Sequence, residues 1–157
     1  MSTASKIVSR LKEEEIEWVD LRFTDPKGKW QHLTMVASVI DEDALEEGLM
    51  FDGSSIAGWK VINESDMILK PDLDEVYVDP FSATPMMVIF CDIVEPSTGE
   101  GYNRDPRSTA KRAEAYLKAT GLADTVYVGP EAEFFMFDDV RFEDGYAGSG
   151  YQIDDIE

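Results

Sequence analysis

The sequence "EWVDLRFTDPKGKWQHLTMVA", residues 17–37, has the pattern of two β-strands joined by a turn. Val19, Leu21 and Phe23 alternate with polar residues, and this period of two is typical of a β-strand. The four residues "DPKG" that follow favour a tight turn. The run "KWQHLTMVA" indicates a returning strand, so we expect a β-hairpin. His32, the only histidine, falls in the second strand, where we expect packing or hydrogen bonding rather than metal binding.

Helical patterns flank the hairpin on both sides. Before it, apolar residues recur at helical spacing among lysines and glutamates and predict an amphipathic helix, capped by Ser2, Thr3 or Ser5. These apolar residues are Ile7, Val8, Leu11 and Ile16. After the hairpin, "DEDALEEG", residues 41–48, predicts a short acidic helix that ends at its glycine.

The apolar run "MMVIFCDIV", residues 86–94, lies between prolines and predicts a buried strand. It contains Cys91, the only cysteine, so no intrachain disulfide can form and the thiol is expected to be a small core residue. The polar, turn-rich segment "PSTGEGYNRDPR", residues 96–107, is the predicted domain boundary. Beyond it we expect an amphipathic helix that Ser108 caps, with an apolar side around Ala113 and residues 115–117.

The acid excess limits the classes of partner. The chain has 33 Asp and Glu against 14 Lys and Arg, a formal net charge of −19, which repels phosphate backbones and anionic lipids. We therefore expect neither nucleic-acid nor membrane binding. The first residues lack an apolar signal region and no stretch is long enough to span a bilayer, so a cytoplasmic location is expected.

Two glutamates stand out in "GPEAEFF", residues 129–135, within a segment of strand character that Gly129 and Pro130 interrupt. Glu131 and Glu133 are two residues apart, so in a strand both carboxylates point to one face, with Cα atoms about 6 to 7 Å apart. That spacing suits two neighbouring hard cations, such as Mg²⁺ or Mn²⁺, each taking one carboxylate.

The alternative is a solvated strand face, with Ala132, Phe134 and Met136 packed on the other side. Phe135 and Phe137 would continue the face of the two glutamates, however, and carboxylates placed beside aromatic side chains need partners.

The stretch "FDGSSIAGW", residues 51–59, also allows two interpretations. In one it is a turn in which Asp-Gly adopts left-handed backbone angles and the serines bond local backbone. In the other, Asp52 is a carboxylate held on a loop and aimed at a cation or a proton, and Trp59 is a packed anchor that fixes the loop.

Taken together, "FDGSSIAGW" and "GPEAEFFMFDD" closely resemble bacterial type I glutamine synthetases. "NESDM" at residues 63–67, "KPD" at 70–72, "YNRDPR" at 102–107 and "IDDIE" at the end resemble that family too, in the same order and with similar spacing. The resemblance covers essentially the whole chain.

The resemblance implies an enzyme that joins ammonia to glutamate with ATP as a substrate, through γ-glutamyl phosphate. By the match to the family's motifs, Asp52 would contribute to the ammonium site, with Ser55 a nearby contributor. Glu131 and Glu133 would each be a ligand to one of two Mg²⁺ or Mn²⁺ ions. In this family the loop with the aspartate comes from the neighbouring subunit, which makes Trp59 a candidate interface anchor.

The implied architecture is α+β. A β-grasp-like N-terminal domain would cover residues 1–103, and residues 104–157 would begin a catalytic domain built on a curved antiparallel sheet with helices. Members of the family assemble as a homo-oligomer of two stacked hexameric rings, a dodecamer, with active sites at subunit interfaces.

The departure from the family is length. Family members continue past Glu157, and the remaining metal ligands and the residues that hold glutamate and ATP are missing from this chain, whose ending looks truncated. We therefore expect the chain to be inactive alone. Two alternatives stay open: a non-catalytic short form or interaction module, and a family relative that uses another amine.

Overall fold

The computed structural model describes residues 2–155, and the chain divides into two compact units, Met1–Thr125 and Val126–Glu157. The helices of the first unit are α1 (Thr3–Glu13), α2 (Glu42–Glu47) and α3 (Pro106–Thr120). Its strands are β1 (Trp18–Thr24), β2 (Trp30–Val36), β3 (Leu49–Asp52), β4 (Asp66–Val78) and β5 (Met86–Val94). Three short 3₁₀ turns cover Ala37–Val39, Gly53–Ser55 and Ile62–Glu64. The second unit contains the strands β6 (Asp139–Gly145) and β7 (Gly148–Asp154).

The first unit is built on a five-stranded mixed sheet in the order β2-β1-β5-β4-β3. The predicted hairpin is confirmed, since β1 and β2 pair antiparallel from Trp18 opposite Val36 to Thr24 opposite Trp30. β1 and β5 pair in parallel at the centre of the sheet, although 61 residues of chain separate Thr24 from Met86. Every other pair of neighbouring strands is antiparallel.

The core combines residues of this sheet with residues of α1 and α2. The predicted first helix is confirmed: Ser2 caps it by accepting a hydrogen bond from the Ser5 amide at 3.0 Å. Its apolar residues Ile7 and Leu11 are buried, whereas Ile16 is buried just beyond its end. The short acidic helix is also confirmed, with Leu45 fully buried.

The predicted buried strand, β5, supplies much of the core. Met87, Ile89 and Ile93 are fully buried there, as expected for a strand with a neighbour on each side. Cys91 is fully buried too, and this burial raises the pKa of its thiol far above the usual range. The prediction that Cys91 is a core residue is confirmed.

The polar residues of the hairpin form a compact network. His32 Nδ1 lies 2.7 Å from Oδ1 of Asp20, and the Thr34 hydroxyl donates to the same oxygen at 2.7 Å. Arg22 pairs with the other oxygen of Asp20 at 2.7 Å. The hydrogen-bonding role expected of His32 is therefore confirmed.

The helix α3 differs from the prediction at its start. Asp105, not Ser108, caps it: Oδ2 of this buried aspartate accepts hydrogen bonds from the Ser108 amide at 2.9 Å and the Ser108 hydroxyl at 2.6 Å. Pro106 follows at the first helical position, where a missing N–H is tolerated. The apolar side is not buried in this chain, since Tyr116 is 73% exposed.

The interrupted strand that the sequence predicts over residues 125–142 forms only at its end. No helix or strand is assigned to residues 125–138, where the prediction is wrong, and β6 begins at Asp139. A strand exists only when its backbone pairs with another strand. Phe134 and Met136 are each 79% exposed, so the packing expected of them on one side is absent as well.

Among residues 2–155, no helix is long and apolar enough to cross a membrane.

The contrast between β5 and the unpaired segment predicts a contrast in amide hydrogen exchange. We expect the amides of residues 126–137 in the isolated chain to exchange almost as fast as in an unfolded peptide, because no strand protects them. The amides of β5 should be strongly protected and serve as the internal control. Mass spectrometry of peptides after deuterium labelling would measure both, and strong protection throughout Thr125 to Asp138 in a monomer would contradict the expectation.

Candidate functional site

Asp52 ends the edge strand β3 and begins the loop to β4. It pairs with Asp66 across the β3–β4 ladder, and the strand alternation leaves its side chain exposed. Its Oδ1 accepts hydrogen bonds from the Ser54 amide at 2.8 Å and from the Ser54 hydroxyl at 2.6 Å, which caps the 3₁₀ turn Gly53–Ser55. The bonds from Ser54 lower the pKa of Asp52, with a smaller contribution from Ser65. The loop therefore presents an ionised, solvent-accessible carboxylate.

Ser55 closes the same turn and is exposed. The two residues that the sequence assigned to an ammonium site, Asp52 and Ser55, thus lie together in one turn.

Gly53 is required for contact, not for unusual backbone angles. The left-handed conformation predicted at Asp-Gly is wrong, because the residue of this loop with positive φ is Gly58, at +84°. Gly53 is buried, and a Cβ on it would lie 2.5 Å from the Met67 side chain. Its amide donates to the Ser65 carbonyl at 2.7 Å. The small residue therefore lets the two ends of the loop approach each other closely.

Trp59 fixes the far end of the loop by packing into the core. Its side chain is 5% exposed, and its ring centroid lies 5.5 Å from that of Phe23, 6.2 Å from Phe51 and 5.6 Å from Tyr102. The role of packed anchor is confirmed. Because the ring is buried within its own chain, Trp59 would serve a subunit interface only by holding the loop, and its role as an interface anchor stays a prediction.

Two side chains that precede α3 also hold the loop. The Tyr102 hydroxyl donates to the Trp59 carbonyl at 3.1 Å, and Arg104 Nη1 donates to the Gly58 carbonyl at 2.6 Å. Lys60, the next residue of the loop, pairs with Glu95 at 2.7 Å. The contacts of Tyr102 and Arg104 with the loop were not predicted from the sequence. The motif "YNRDPR" drew attention to them, but no local pattern indicates which distant carbonyls they contact.

Glu131 and Glu133 belong to the second unit and are exposed, in the segment without regular structure. Alternation does persist nearby, since the rings of Phe135 and Phe137 stack with centroids 6.0 Å apart and an angle of 9° between their planes. The rings do not enclose the carboxylates, however, because Phe135 is 86% exposed. The expectation of an aromatic environment that forces the glutamates to find partners is therefore wrong for this chain.

The donor chemistry of this segment suits a divalent cation, but the donor number does not. Carboxylate oxygens are preferred ligands of Mg²⁺ and Mn²⁺. Within the described residues, no group of three or more His, Cys, Asp and Glu side chains could hold a metal ion. Glu131 and Glu133 can supply only part of a two-ion site, so no chemical step through a cation follows from these residues alone.

Family models match nearly the whole chain. The model for the glutamine synthetase β-grasp domain matches residues 15–96, and the model for the glutamine synthetase catalytic domain matches residues 103–157.

Curated relatives are similar along the whole chain. The glutamine synthetases of Rhizobium meliloti (strain 1021) and of Bradyrhizobium diazoefficiens are each 59% identical over 157 residues, 100% of this chain. That of Salmonella typhimurium (strain LT2) is 58% identical over 155 residues. The matches cover 34%, 34% and 33% of those proteins, so the chain spans about a third of the length of its curated relatives.

Solved structures share the fold. A cryo-EM structure of Plasmodium falciparum glutamine synthetase superposes with a TM-score of 0.80 at 28% identity, over 100% of this chain and 30% of that one. GmaS without ligand superposes with a TM-score of 0.64 over 73% of this chain at 21% identity, which is a likeness of fold alone. The expected class is confirmed: an α+β chain with a β-grasp domain and the start of a glutamine synthetase catalytic domain. The chain therefore belongs to the glutamine synthetase family.

Proposed function

We propose that this chain is the N-terminal part of a glutamate–ammonia ligase, in which ATP phosphorylates glutamate and ammonia displaces the phosphate from γ-glutamyl phosphate. The observation that carries the proposal is the 59% identity to glutamine synthetases over all 157 residues. The substrates are then glutamate, ammonium and ATP, and the protein acts in nitrogen metabolism. Two Mg²⁺ or Mn²⁺ ions would neutralise phosphate charge during the transfer.

Asp52 is proposed to bind the ammonium ion, with Ser55 contributing a hydroxyl nearby. The support is geometric and electrostatic: the Asp52 carboxylate is exposed, capped through one oxygen by Ser54, and its pKa is lowered. A lowered pKa keeps the carboxylate ionised at neutral pH, so the loop presents a negative charge to a cation. The same shift weakens Asp52 as a base, so binding should contribute more to its role than proton removal.

Glu131 and Glu133 are proposed to be ligands to two different divalent ions. Both carboxylates are exposed, and they are two residues apart in the chain. Residues outside this chain would have to complete both sites, because the described residues contain no group of three suitable ligands.

We further propose a domain boundary between residues 103 and 104, and a homo-oligomer of two stacked six-membered rings whose active sites lie between subunits. The family models support the boundary, since one match ends at residue 96 and the next begins at residue 103.

A cytoplasmic location is proposed because the one cysteine is a buried free thiol, as is common in reducing compartments.

The isolated 157-residue chain is expected to be inactive, because two glutamates cannot assemble two catalytic cation sites. Phosphate release from ATP, measured with glutamate and with and without ammonium, should stay at the level of the enzyme-free control. The full-length protein should release phosphate in an ammonium-dependent manner under the same conditions. Clear turnover by the isolated chain would overturn this expectation and favour a complete site within it.

Substitution of Asp52 tests the ammonium assignment. In the full-length protein, Asp52→Ala and Asp52→Asn should raise the KM for ammonium about tenfold or more, because each removes a charge that would face the cation. The KM for ATP should change less than about twofold.

Asp43→Asn is the matched control, since it removes an exposed carboxylate from α2. Steady-state kinetics at fixed pH would measure both KM values. Equal increases in the KM for ammonium and for ATP would mean that Asp52 only shapes the loop.

Substitution of the two glutamates tests the metal assignment. In the full-length protein, Glu131→Gln and Glu133→Gln should each weaken binding of one Mn²⁺ ion about tenfold or more and leave a second, tight ion in place. The reason is that each carboxylate would serve a different ion. Electron paramagnetic resonance of free Mn²⁺ would count the tight sites.

Glu143→Gln, on an exposed position of β6, is the control and should leave both Mn²⁺ ions tight. The double variant Glu131→Gln/Glu133→Gln should weaken both ions, and one tight ion remaining there would show that the two glutamates share one ion. Retention of both would remove the assignment.

A further inference from the structure

We propose that Tyr102 and Arg104 are positioning residues for Asp52, holding the loop of residues 53–66 against the body of the protein. This inference rests on the proposed ammonium role of Asp52. The two residues lie more than forty positions away in the chain, and neither touches Asp52 directly. They act through the backbone of Gly58 and Trp59.

The first contact combines packing with a hydrogen bond. Tyr102 is 8% exposed, and its ring meets that of Trp59 edge to face, with centroids 5.6 Å apart and an interplanar angle of 75°. The Tyr102 hydroxyl continues past the ring and donates to the Trp59 carbonyl at 3.1 Å. The ring therefore sets the depth of Trp59 in the core, and the hydroxyl sets the direction of its backbone.

The second contact lies one residue earlier in the loop. Arg104 Nη1 donates to the Gly58 carbonyl at 2.6 Å and approaches the Trp59 carbonyl at 3.5 Å. Gly58 has φ of +84°, a backbone conformation in which the chain turns sharply. A charged donor on the carbonyl of this glycine holds the turn in place.

A series of backbone hydrogen bonds connects these contacts to Asp52. The Trp59 amide donates to the Ile56 carbonyl at 3.1 Å, and the Ile56 amide donates to the Gly53 carbonyl at 3.2 Å. Gly53 opens the 3₁₀ turn that the Asp52 side chain caps. Displacement of Trp59 would therefore be passed along the loop, one bond at a time, to the turn that orients the carboxylate.

Tyr102 and Arg104 form what we call the clamp, and backbone hydrogen bonds attach it to the sheet and to the start of α3. The Tyr102 amide donates to the Ile93 carbonyl of β5 at 2.7 Å, and the Asp105 amide donates to the Tyr102 carbonyl at 3.2 Å. Asp105 is the fully buried cap of α3. The matched catalytic-domain region begins at residue 103, so Arg104 belongs to one matched region while the loop belongs to the other. The start of the catalytic domain thus positions a loop of the β-grasp domain in the same chain.

The experiment uses the full-length protein and four variants. Tyr102→Phe removes the hydroxyl but keeps the ring, and Arg104→Gln removes the charged donor. Arg104→Lys keeps a charge and one donor, so it should rescue part of the effect. Arg10→Gln is the matched control, since Arg10 pairs with Glu14 on α1 and, within the described residues, hydrogen-bonds to neither the loop nor the segment that holds Tyr102 and Arg104.

Two readouts are compared. Amide hydrogen exchange in residues 53–66 should accelerate roughly five- to tenfold in Tyr102→Phe and in Arg104→Gln, because each loses one hydrogen bond that holds the loop. The KM for ammonium should rise roughly three- to tenfold, whereas the KM for ATP and for glutamate should stay within about twofold. A general loss of folding would not produce that split. Arg104→Lys should fall between the wild type and Arg104→Gln, and Arg10→Gln should match the wild type in both readouts.

The outcomes separate this inference from the ammonium assignment. Unchanged exchange in residues 53–66 overturns the clamp whatever the kinetics. Faster exchange with an unchanged KM for ammonium overturns the positioning role; if Asp52→Asn also leaves that KM unchanged, the ammonium assignment fails as well. Faster exchange with the selective rise in the KM for ammonium supports both.

Discussion

The burial of Trp59 is the contact on which the arrangement of the loop depends. Its ring lies among Phe23 of β1, Phe51 of β3 and Tyr102 before α3, so one side chain ties together three separate parts of the first unit. Each aromatic pair of this kind contributes about 0.5 to 1.5 kcal/mol beyond the burial of its surface. The indole Nε1 opposes this stabilisation, because it is buried and has no hydrogen-bond partner among the described residues. Packing, not polar satisfaction, therefore keeps Trp59 in place.

The helix α3 is held to the same unit by a different kind of interaction. Its buried contact is polar, through the cap Asp105, and its outer apolar residues are exposed. Arg107 pairs with Asp92 of β5 at 3.0 Å and also with Asp72 of β4. Burial raises the pKa of Asp92, but Lys111 and Arg107 more than offset that effect and the net shift is downward. The ion pairs thus stabilise the folded state above the acid range, and this contribution is lost as the pH falls through the lowered pKa of Asp92.

Elements that neighbouring residues determine could be predicted from the sequence, and elements that depend on distant residues could not. The hairpin, α1 and β5 could be predicted because apolar period, turn residues and flanking prolines act within a few residues. The strand at residues 125–137 could not, since its apolar pattern is that of a strand but strands need a partner. Ser108 was a reasonable cap by type, yet Asp105, three residues earlier, caps the helix and accepts a hydrogen bond from the Ser108 amide itself. The sequence suggested that Gly53 is needed for the backbone angles of a turn. The position of Met67 shows instead that Gly53 is needed because a side chain there would collide with Met67.

The residues of the candidate site show the same contrast between predictable and unpredictable features. Asp52 and Glu131 could be selected from the sequence because their motifs resemble those of glutamine synthetases, whereas Tyr102 and Arg104 could not, because they bind carbonyl oxygens that every residue carries. Contacts to carbonyls have a physical consequence for the loop. They hold its backbone through groups that every residue carries, so what the Asp52 carboxylate must bind can set the exposed positions of the loop. Ser54, Ile56 and Trp59 are the exceptions, because the first bonds Asp52 and the other two are buried in the core. The Trp59 ring also fixes the depth from which the two donors reach the backbone.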